Sequence, residues 1–320
     1  MIVKEFLYII NHKIYSIRGF MENQIKNRLK AYIELVRPFT LLAPIIVSIC
    51  IMIASYKYNR NTDDIVNLFL TIILPASISL AILNAASNVL NQVTDIKSDK
   101  ISKPYRPICK GIVSKKEAII ISLLLYTTSI SLALLINPIF LVFVFMITFF
   151  TVTYSVPPRY KDILFVNQLW VGIPRGLLGI LASWSVFGNP IDTLPLTIGF
   201  IAMIFLIGGS STKDITDSYA DKKTGTKTLV NTYGLKRAAI ITFPFMFFPF
   251  AFIPILIDSG ILAPQFFILT FLAIPSAYIF YLMIKDSKKQ RHLENTPSWT
   301  LMYTTYFLFS FGFSVITIIG

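Results

Sequence analysis

The sequence predicts an all-α, polytopic membrane protein of about nine transmembrane helices. Three observations carry that prediction: a deficit of charge, a series of apolar stretches of spanning length, and a one-sided distribution of Lys and Arg. Of the 320 residues, 55% are hydrophobic and 14% charged, whereas soluble domains carry about a quarter charged residues. The deficit runs along the whole chain, so it points to a bilayer rather than to a large soluble core. Cys50 lies in an apolar run and Cys109 in a basic loop, so no disulfide framework is expected. His12 and His292 are too far apart in sequence to form a zinc pattern.

A spanning helix needs about 20 mostly apolar residues. Nine stretches qualify: 38–56, 66–91, 117–136, 138–155, 163–187, 194–212, 238–257, 260–284 and 300–320. The third and fourth meet at Asn137-Pro138, where a tight hairpin turn fits better than one continuous helix. The segment before the first stretch holds 7 Lys and Arg, and the connections after the second, fourth, sixth and eighth hold 7, 2, 6 and 4. These account for 26 of the 29 basic residues, against Lys57 and Arg60 on the other side and Arg175 within the fifth stretch. Basic residues stay on the cytoplasmic side, so the expectation is a cell-membrane protein with its N-terminus cytoplasmic and its C-terminus outside. The net charge of +13 is then a topology signal, and no nucleic-acid partner is needed to explain it.

Residues 1–37 read as a basic cytoplasmic segment and 38–320 as the nine-helix domain. Lys4, Lys13 and Arg18 interrupt the apolar residues at the start, which excludes a secretory signal. Residues 1–35 fit an amphipathic segment on the membrane surface and a disordered tail equally well.

Five of the 16 carboxylates fall in two short segments on the cytoplasmic side. Asn91-Gln-Val-Thr-Asp95-Ile-Lys-Ser-Asp99-Lys100 follows the second stretch, and Lys213-Asp214-Ile-Thr-Asp217-Ser-Tyr-Ala-Asp221-Lys222 follows the sixth. Aligned on Thr-Asp they share four residues, which reads as an internal repeat. Residues four apart share a helix face, so Asp95 projects with Asp99 and Asp217 with Asp221. Asn84, Asn88 and Asn91 extend the first stripe into the membrane, where such residues face the bundle interior or a wet cavity. Carboxylates one turn apart repel unless a cation lies between them, and Mg²⁺ takes carboxylate oxygens together with substrate phosphates. The pattern implies two Mg²⁺ sites facing each other across a bundle, able to hold a diphosphate. An isolated pair would more simply be solvated charge at a helix end, neutralised by Lys97, Lys100, Lys222 and Lys223. The duplication and the shared polar face argue for the metal sites.

These segments resemble the two acidic motifs of the UbiA family of intramembrane prenyltransferases. Asn91, Asp95 and Asp99 match the first motif, Lys103-Pro-Tyr-Arg106-Pro continues it, and Gln92 stands where aspartate is common. Asp214, Asp217, Asp221, Gly225 and Thr228 match the second. Tyr154-Ser-Val-Pro-Pro-Arg159-Tyr-Lys161 resembles a third family element, and Arg37-Pro38 its start. The resemblance implies nine helices around a central cavity, with cytoplasmic cap loops carrying both motifs. It also implies a polyprenyl diphosphate donor, foremost geranylgeranyl diphosphate, held through two Mg²⁺ ions, with its chain in an apolar tunnel and transferred to a small acceptor. No obligatory protein partner is implied.

On this basis Asn91, Asp95 and Asp99 are assigned to one Mg²⁺, Asp217 and Asp221 to the other, and Asp214 to their support. Arg37, Lys103, Arg159 and Lys161 are candidates for the diphosphate, since Arg and Lys pair with phosphate oxygens. Asn88 belongs to the substrate-facing stripe, and Tyr154 is singled out as an aromatic wall for the allylic cation. Arg175 is either a contact to the acceptor or a partner of the asparagine stripe, with Pro174 leaving a carbonyl free nearby. For the acceptor, the Lys-Asp-x-x-Asp and Lys-Pro-x-Arg-Pro runs resemble enzymes of archaeal ether lipids acting on geranylgeranylglyceryl phosphate. The Asn-Gln start and Tyr-Ser-x-Pro-Pro resemble those prenylating aromatic quinone precursors or chlorophyll-type acids. The glyceryl phosphate is the first choice. A membrane transporter is the rival class, because duplicated motifs occur there too. The acidic residues at span ends and the single ionisable residue deep in a helix argue against it.

Overall fold

The computed structural model describes residues 23–286 and 296–320, and among these it is helical throughout, with no strand. His12, His292, Lys4, Lys13 and Arg18 lie outside the described residues. We label the helices α1 (23–36), α2 (Leu42–Tyr58), α3 (Ile65–Thr94), α4 (Ile96–Ser102), α5 (Lys115–Leu134), α6 (Pro138–Ser155) and α7 (166–184). Then follow α8 (Thr193–Gly209), α9 (Asp214–Thr224), α10 (Leu229–Tyr233), α11 (Leu235–Asp258), α12 (Pro264–Lys285) and α13 (Pro297–Ile319).

Among the described residues eight helices are long and apolar enough to cross a membrane, and they coincide with eight of the nine apolar stretches. The remaining stretch, 163–187, is helical from 166 to 184 but is not among the eight. It carries Asn167, Gln168 and Arg175, and it widens into a π-helix over Ile173–Leu178. Pro174 sits in that segment with no N–H to give, and π-bulges absorb such a missing bond. At the other end of the chain, α1 and α2 form one run of apolar helix, Asn23–Tyr58, that begins well before the expected start.

Helix boundaries follow local chemistry. The Ser114 hydroxyl accepts from the Glu117 N–H at 3.1 Å while the Glu117 carboxylate accepts from the Ser114 N–H, a capping box that opens α5. The Asn137 side chain accepts from the Phe140 N–H at 2.7 Å with Pro138 at the first helical position, which makes the expected hairpin turn. The Thr296 hydroxyl caps α13 through the Trp299 N–H. The break between α1 and α2 is held differently. Arg37 adopts a left-handed φ of 57°, and three α3 amides spaced four apart reach the loosened carbonyls. Gln92 donates to the Leu35 oxygen at 2.6 Å, Asn88 to the Val36 oxygen at 3.1 Å, and Asn84 to the Thr40 oxygen at 3.0 Å.

Two apolar clusters flank the centre. One joins α2, α7, α8, α11, α12 and α13 around Phe205, Phe250 and Phe309, and the other joins α2, α3, α5, α6 and α7 around Phe140 and Ile73. Helices α2 and α7 contribute to both and so form the seam between the halves. Packing of α13 on α2 closes the ring. Outward faces carry exposed Leu123, Leu124, Phe145, Phe149, Ile268 and Phe271, as hydrocarbon contact requires. Lipid removes the hydrophobic drive for helix association, so close packing must supply it. Gly172 and Gly176 let α7 approach α8 until a Cβ on Gly176 would stand 2.5 Å from the Met203 main chain.

Candidate active site

Helices α4 and α9 pack against each other at one end of the bundle, which places the two acidic segments around one cavity of about 170 Å³. Asn88, Asn91, Asp95 and Asp99 line it from α3 and α4, and Asp214, Asp217 and Asp221 from α9. Arg37, Lys103, Tyr154, Lys161 and Arg175 complete the sequence-predicted residues that line it. The shared face of Asp95 and Asp99 survives the junction of α3 and α4, because the Asp99 N–H still donates to the Asp95 carbonyl at 2.8 Å.

Each acidic segment has its own pattern of compensation. Asp95 accepts from Lys161 and, at 2.8 Å, from Arg159, while Lys161 also donates to the Asn91 side-chain oxygen at 2.8 Å. Asp99 and Arg106 form a buried pair at 2.5 Å. Burial pushes the Asp99 carboxyl up against the pull of Arg106. Lys103 crosses from the first segment to Asp217 on the second. Burial alone would raise the Asp217 carboxyl, but the adjacent Lys103 outweighs it and holds that group below its usual range. Asp214 and Asp221 make no ion pair among the described residues. Burial and the neighbouring carboxylates push them to about 7 and about 8 respectively, with Lys213 opposing this at Asp214.

Placement departs from expectation at several residues. Arg159 pairs with Asp95 and with Asp162 but does not line the cavity. Tyr154 lines it with its ring near two ammonium groups, Lys213 at 5.1 Å and Lys161 at 5.8 Å. Lys213 also donates to the Tyr154 hydroxyl at 2.7 Å. Gln92, at the position where the resemblance offers an aspartate, is 2% exposed and faces Leu35 rather than the cavity. Arg175 does not meet the asparagine stripe; its guanidinium donates to the Tyr303 hydroxyl at 3.1 Å, and its carbonyl accepts from Tyr306 at 2.9 Å. Sequence reasoning gave Lys213, Arg106, Trp299 and Tyr303 no role, although all four line the cavity. Lys213 could have been read from its place beside Asp214, whereas nothing distinguishes the two α13 aromatics from packing residues.

A second cavity of about 100 Å³ lies among mid-helix residues, with Val47, Leu80, Leu83, Ile147, Leu206 and Met302 in its wall. It shares Thr40, Thr151, Pro174, Arg175, Lys213 and Tyr303 with the polar one.

A helical bundle whose charged cavity shares wall residues with an apolar one can hold a ligand with an anionic head and a hydrocarbon tail. The chain belongs to the UbiA prenyltransferase family, whose model matches residues 39–313. It is 27% identical over 263 residues to a digeranylgeranylglyceryl phosphate synthase of Methanosphaera stadtmanae, covering 81% of this chain and 90% of that one. It is 29% identical over 240 residues to a protein of the same name from Methanococcoides burtonii, covering 74% and 84%. The fold matches a UbiA homologue from Archaeoglobus fulgidus bound to GPP and Mg²⁺ with a TM-score of 0.64 at 19% identity, covering 91% of this chain and 100% of that one. It also matches the apo UbiA homologue of Aeropyrum pernix K1, with a TM-score of 0.65 at 15% identity over 86% and 98% of the two chains.

Proposed function

We propose that this prenyltransferase moves a geranylgeranyl group from its diphosphate to the free hydroxyl of geranylgeranylglyceryl phosphate, in membrane-lipid biosynthesis, with Mg²⁺. One observation carries the proposal: two acidic segments from distant parts of the chain share one cation-lined cavity whose wall residues are partly those of an apolar one. The names of the curated relatives support the acceptor, and the GPP- and Mg²⁺-bound neighbour supports the donor class.

The donor set fits a hard divalent cation. Asp214, Asp217 and Asp221 repel one another and only Asp217 has an ion-pair partner among the described residues. Among those residues no three His, Cys, Asp or Glu side chains form a complete metal cage. Mg²⁺ is suited to such a site, since it binds through one or two carboxylates with substrate phosphates and water. We assign one ion to Asn91, Asp95 and Asp99 and the other to Asp217 and Asp221, with Asp214 in support. Bound there, the metal supplies charge stabilisation to the departing diphosphate.

The chain's own cations serve the same end. Lys103, Lys161 and Arg37 border the cavity and can take diphosphate oxygens as the allylic C–O bond breaks. Arg159 holds Asp95 from outside the cavity. The prenyl chain occupies the apolar cavity, whose wall keeps water from the developing allylic cation. The acceptor hydroxyl oxygen forms the new ether bond to that carbon as the bond to diphosphate breaks, and the hydroxyl proton passes to the released diphosphate. The one-sided basic residues support an orientation with both acidic segments at the cytoplasmic face and the C-terminus outside.

The test is a transfer assay in detergent with labelled geranylgeranyl diphosphate, offering the glyceryl phosphate and a panel of aromatic acids separately, with Mg²⁺ or EDTA. The expected result is one ether product, formed from the glyceryl phosphate and only with metal. Product from an aromatic acid alone would overturn the acceptor, and diphosphate release without any acceptor would point to a cyclase or hydrolase.

A further inference from the structure

Arg175 is charged, lies midway along α7 within the helical bundle, and yet is exposed. Ionisable residues at such depth face a partner or a wet cavity. Among the described residues its guanidinium has only the neutral Tyr303 hydroxyl as a hydrogen-bond partner and no carboxylate within ion-pair distance. Lys213 stands in the same position, donating to the Tyr154 hydroxyl, with Asp214 next to it in the chain as the acidic neighbour. Both cations line both cavities. They therefore sit where the walls of the polar and apolar cavities meet, and neither is engaged in the ion pairs that Asp95, Asp99 and Asp217 make.

A further polar group lies on the α7 face that carries Arg175. Asn167, Trp170, Val171, Pro174 and Arg175 follow a helical spacing and all line the polar cavity. Asn167 is 6% exposed, and its side-chain oxygen has no hydrogen-bond partner among the described residues.

We infer that Arg175 and Lys213 form a second anion site that takes the phosphate of the acceptor, separate from the diphosphate site of the donor. The inference rests on the proposed glyceryl phosphate acceptor and deepens it. A phosphate monoester carries up to two negative charges, which two cations with hydroxyl partners match. An Arg fork pairs with phosphate in two parallel hydrogen bonds. The acceptor's hydrocarbon tail would leave this point through the apolar residues that border it. Placed there, the acceptor hydroxyl is presented to the donor by its own phosphate, and Arg175 acts as a specificity and positioning residue.

The test separates phosphate from tail. Trp170 and Trp299 line the cavity, so tryptophan fluorescence of the full chain in detergent, without metal or donor, reports binding. Geranylgeranylglyceryl phosphate and its dephosphorylated alcohol are titrated into wild type, Arg175→Gln and Arg175→Lys. Wild type should bind the phosphate at least about tenfold more tightly than the alcohol, the range for one charge-assisted hydrogen bond. Arg175→Gln should erase most of that ratio while leaving alcohol binding within about twofold, which also shows that the variant is folded. Arg175→Lys should keep part of it. A full ratio retained in Arg175→Gln, or no ratio in wild type, would overturn the site. An aromatic acid bound with the same dependence on Arg175, and the phosphate bound without it, would overturn it as well. Wild type that binds the phosphate ligand through Arg175 yet transfers no prenyl group to it would sink the proposed reaction and leave the anion site standing.

Discussion

Replacing Gly176 by Ala should drive α7 and α8 apart, and the structure gives the size of the conflict. The added Cβ would lie 2.5 Å from both Cα and N of Met203 and 2.8 Å from the Ala202 carbonyl carbon. Comfortable carbon contacts lie at about 3.5–4.0 Å, so the overlap is about 1 Å. The opposing atoms are main chain, and no rotamer change removes them. Such overpacking costs about 1–3 kcal/mol. Gly179→Ala is the matched control, because its nearest neighbour, the Pro174 carbonyl oxygen, lies at an ordinary 3.4 Å. Both variants gain the same helix propensity, about 0.5–1 kcal/mol, so their difference isolates the steric effect. Unfolding by SDS in mixed micelles, followed by tryptophan fluorescence, should place Gly176→Ala below Gly179→Ala by about 1–3 kcal/mol. The shift also moves Arg175, the adjacent residue, and a displacement of about 1 Å at a positioning group can cost about a hundredfold in rate. Equal stability of the two variants would refute the argument from close helix approach.

Three further outcomes follow from the site. Asp95→Asn and Asp217→Asn should each lower the Mg²⁺-dependent transfer rate by about a hundredfold or more; a smaller loss in the assay above would remove that residue from the metal assignment. Arg106→Met strands a buried carboxylate at Asp99 and should destabilise the fold by about 3–5 kcal/mol. Adding Asp99→Asn should restore much of that loss in the same SDS titration, and a strictly additive double variant would argue against the pair. Leu80→Trp narrows the apolar cavity and should move donor preference, measured as the ratio of kcat/KM for geranyl over geranylgeranyl diphosphate, by about tenfold or more. An unchanged ratio would place the prenyl chain elsewhere.

The apolar stretches were readable because hydrocarbon demands length and apolarity of a single segment, a property that needs no knowledge of neighbours. The stretch at 163–187 strained that logic: Asn167, Gln168 and Arg175 face a cavity and interior contacts, and Pro174 opens a π-turn. Spacing of four and three residues correctly put Asn88, Asn91, Asp95 and Asp99 on one face. It could not say which basic side chain would reach which carboxylate. Arg159 and Lys161 are two residues apart, yet one stays outside the cavity and the other lines it, because Asp162 draws Arg159 away. The same limit hid Gln92, whose tie to Leu35 depends on a helix 57 residues away in the chain.

The amides of Asn84, Asn88 and Gln92 decide where the first basic residue of the site can stand. The carbonyls near Arg37 lose their regular helical donors where α1 ends. A continuous helix over 23–58 could not satisfy its own backbone, because Pro38 has no N–H to give and its ring keeps Arg37 out of the helical region. Helix α3 supplies three substitute donors at the bend. Arg28 and Tyr32 also meet Glu117 at the start of α5, so α1 is tied to α5 as well as to α3. The place of Arg37 at the polar cavity therefore depends on α3, which holds the Val36 and Thr40 carbonyls on either side of it.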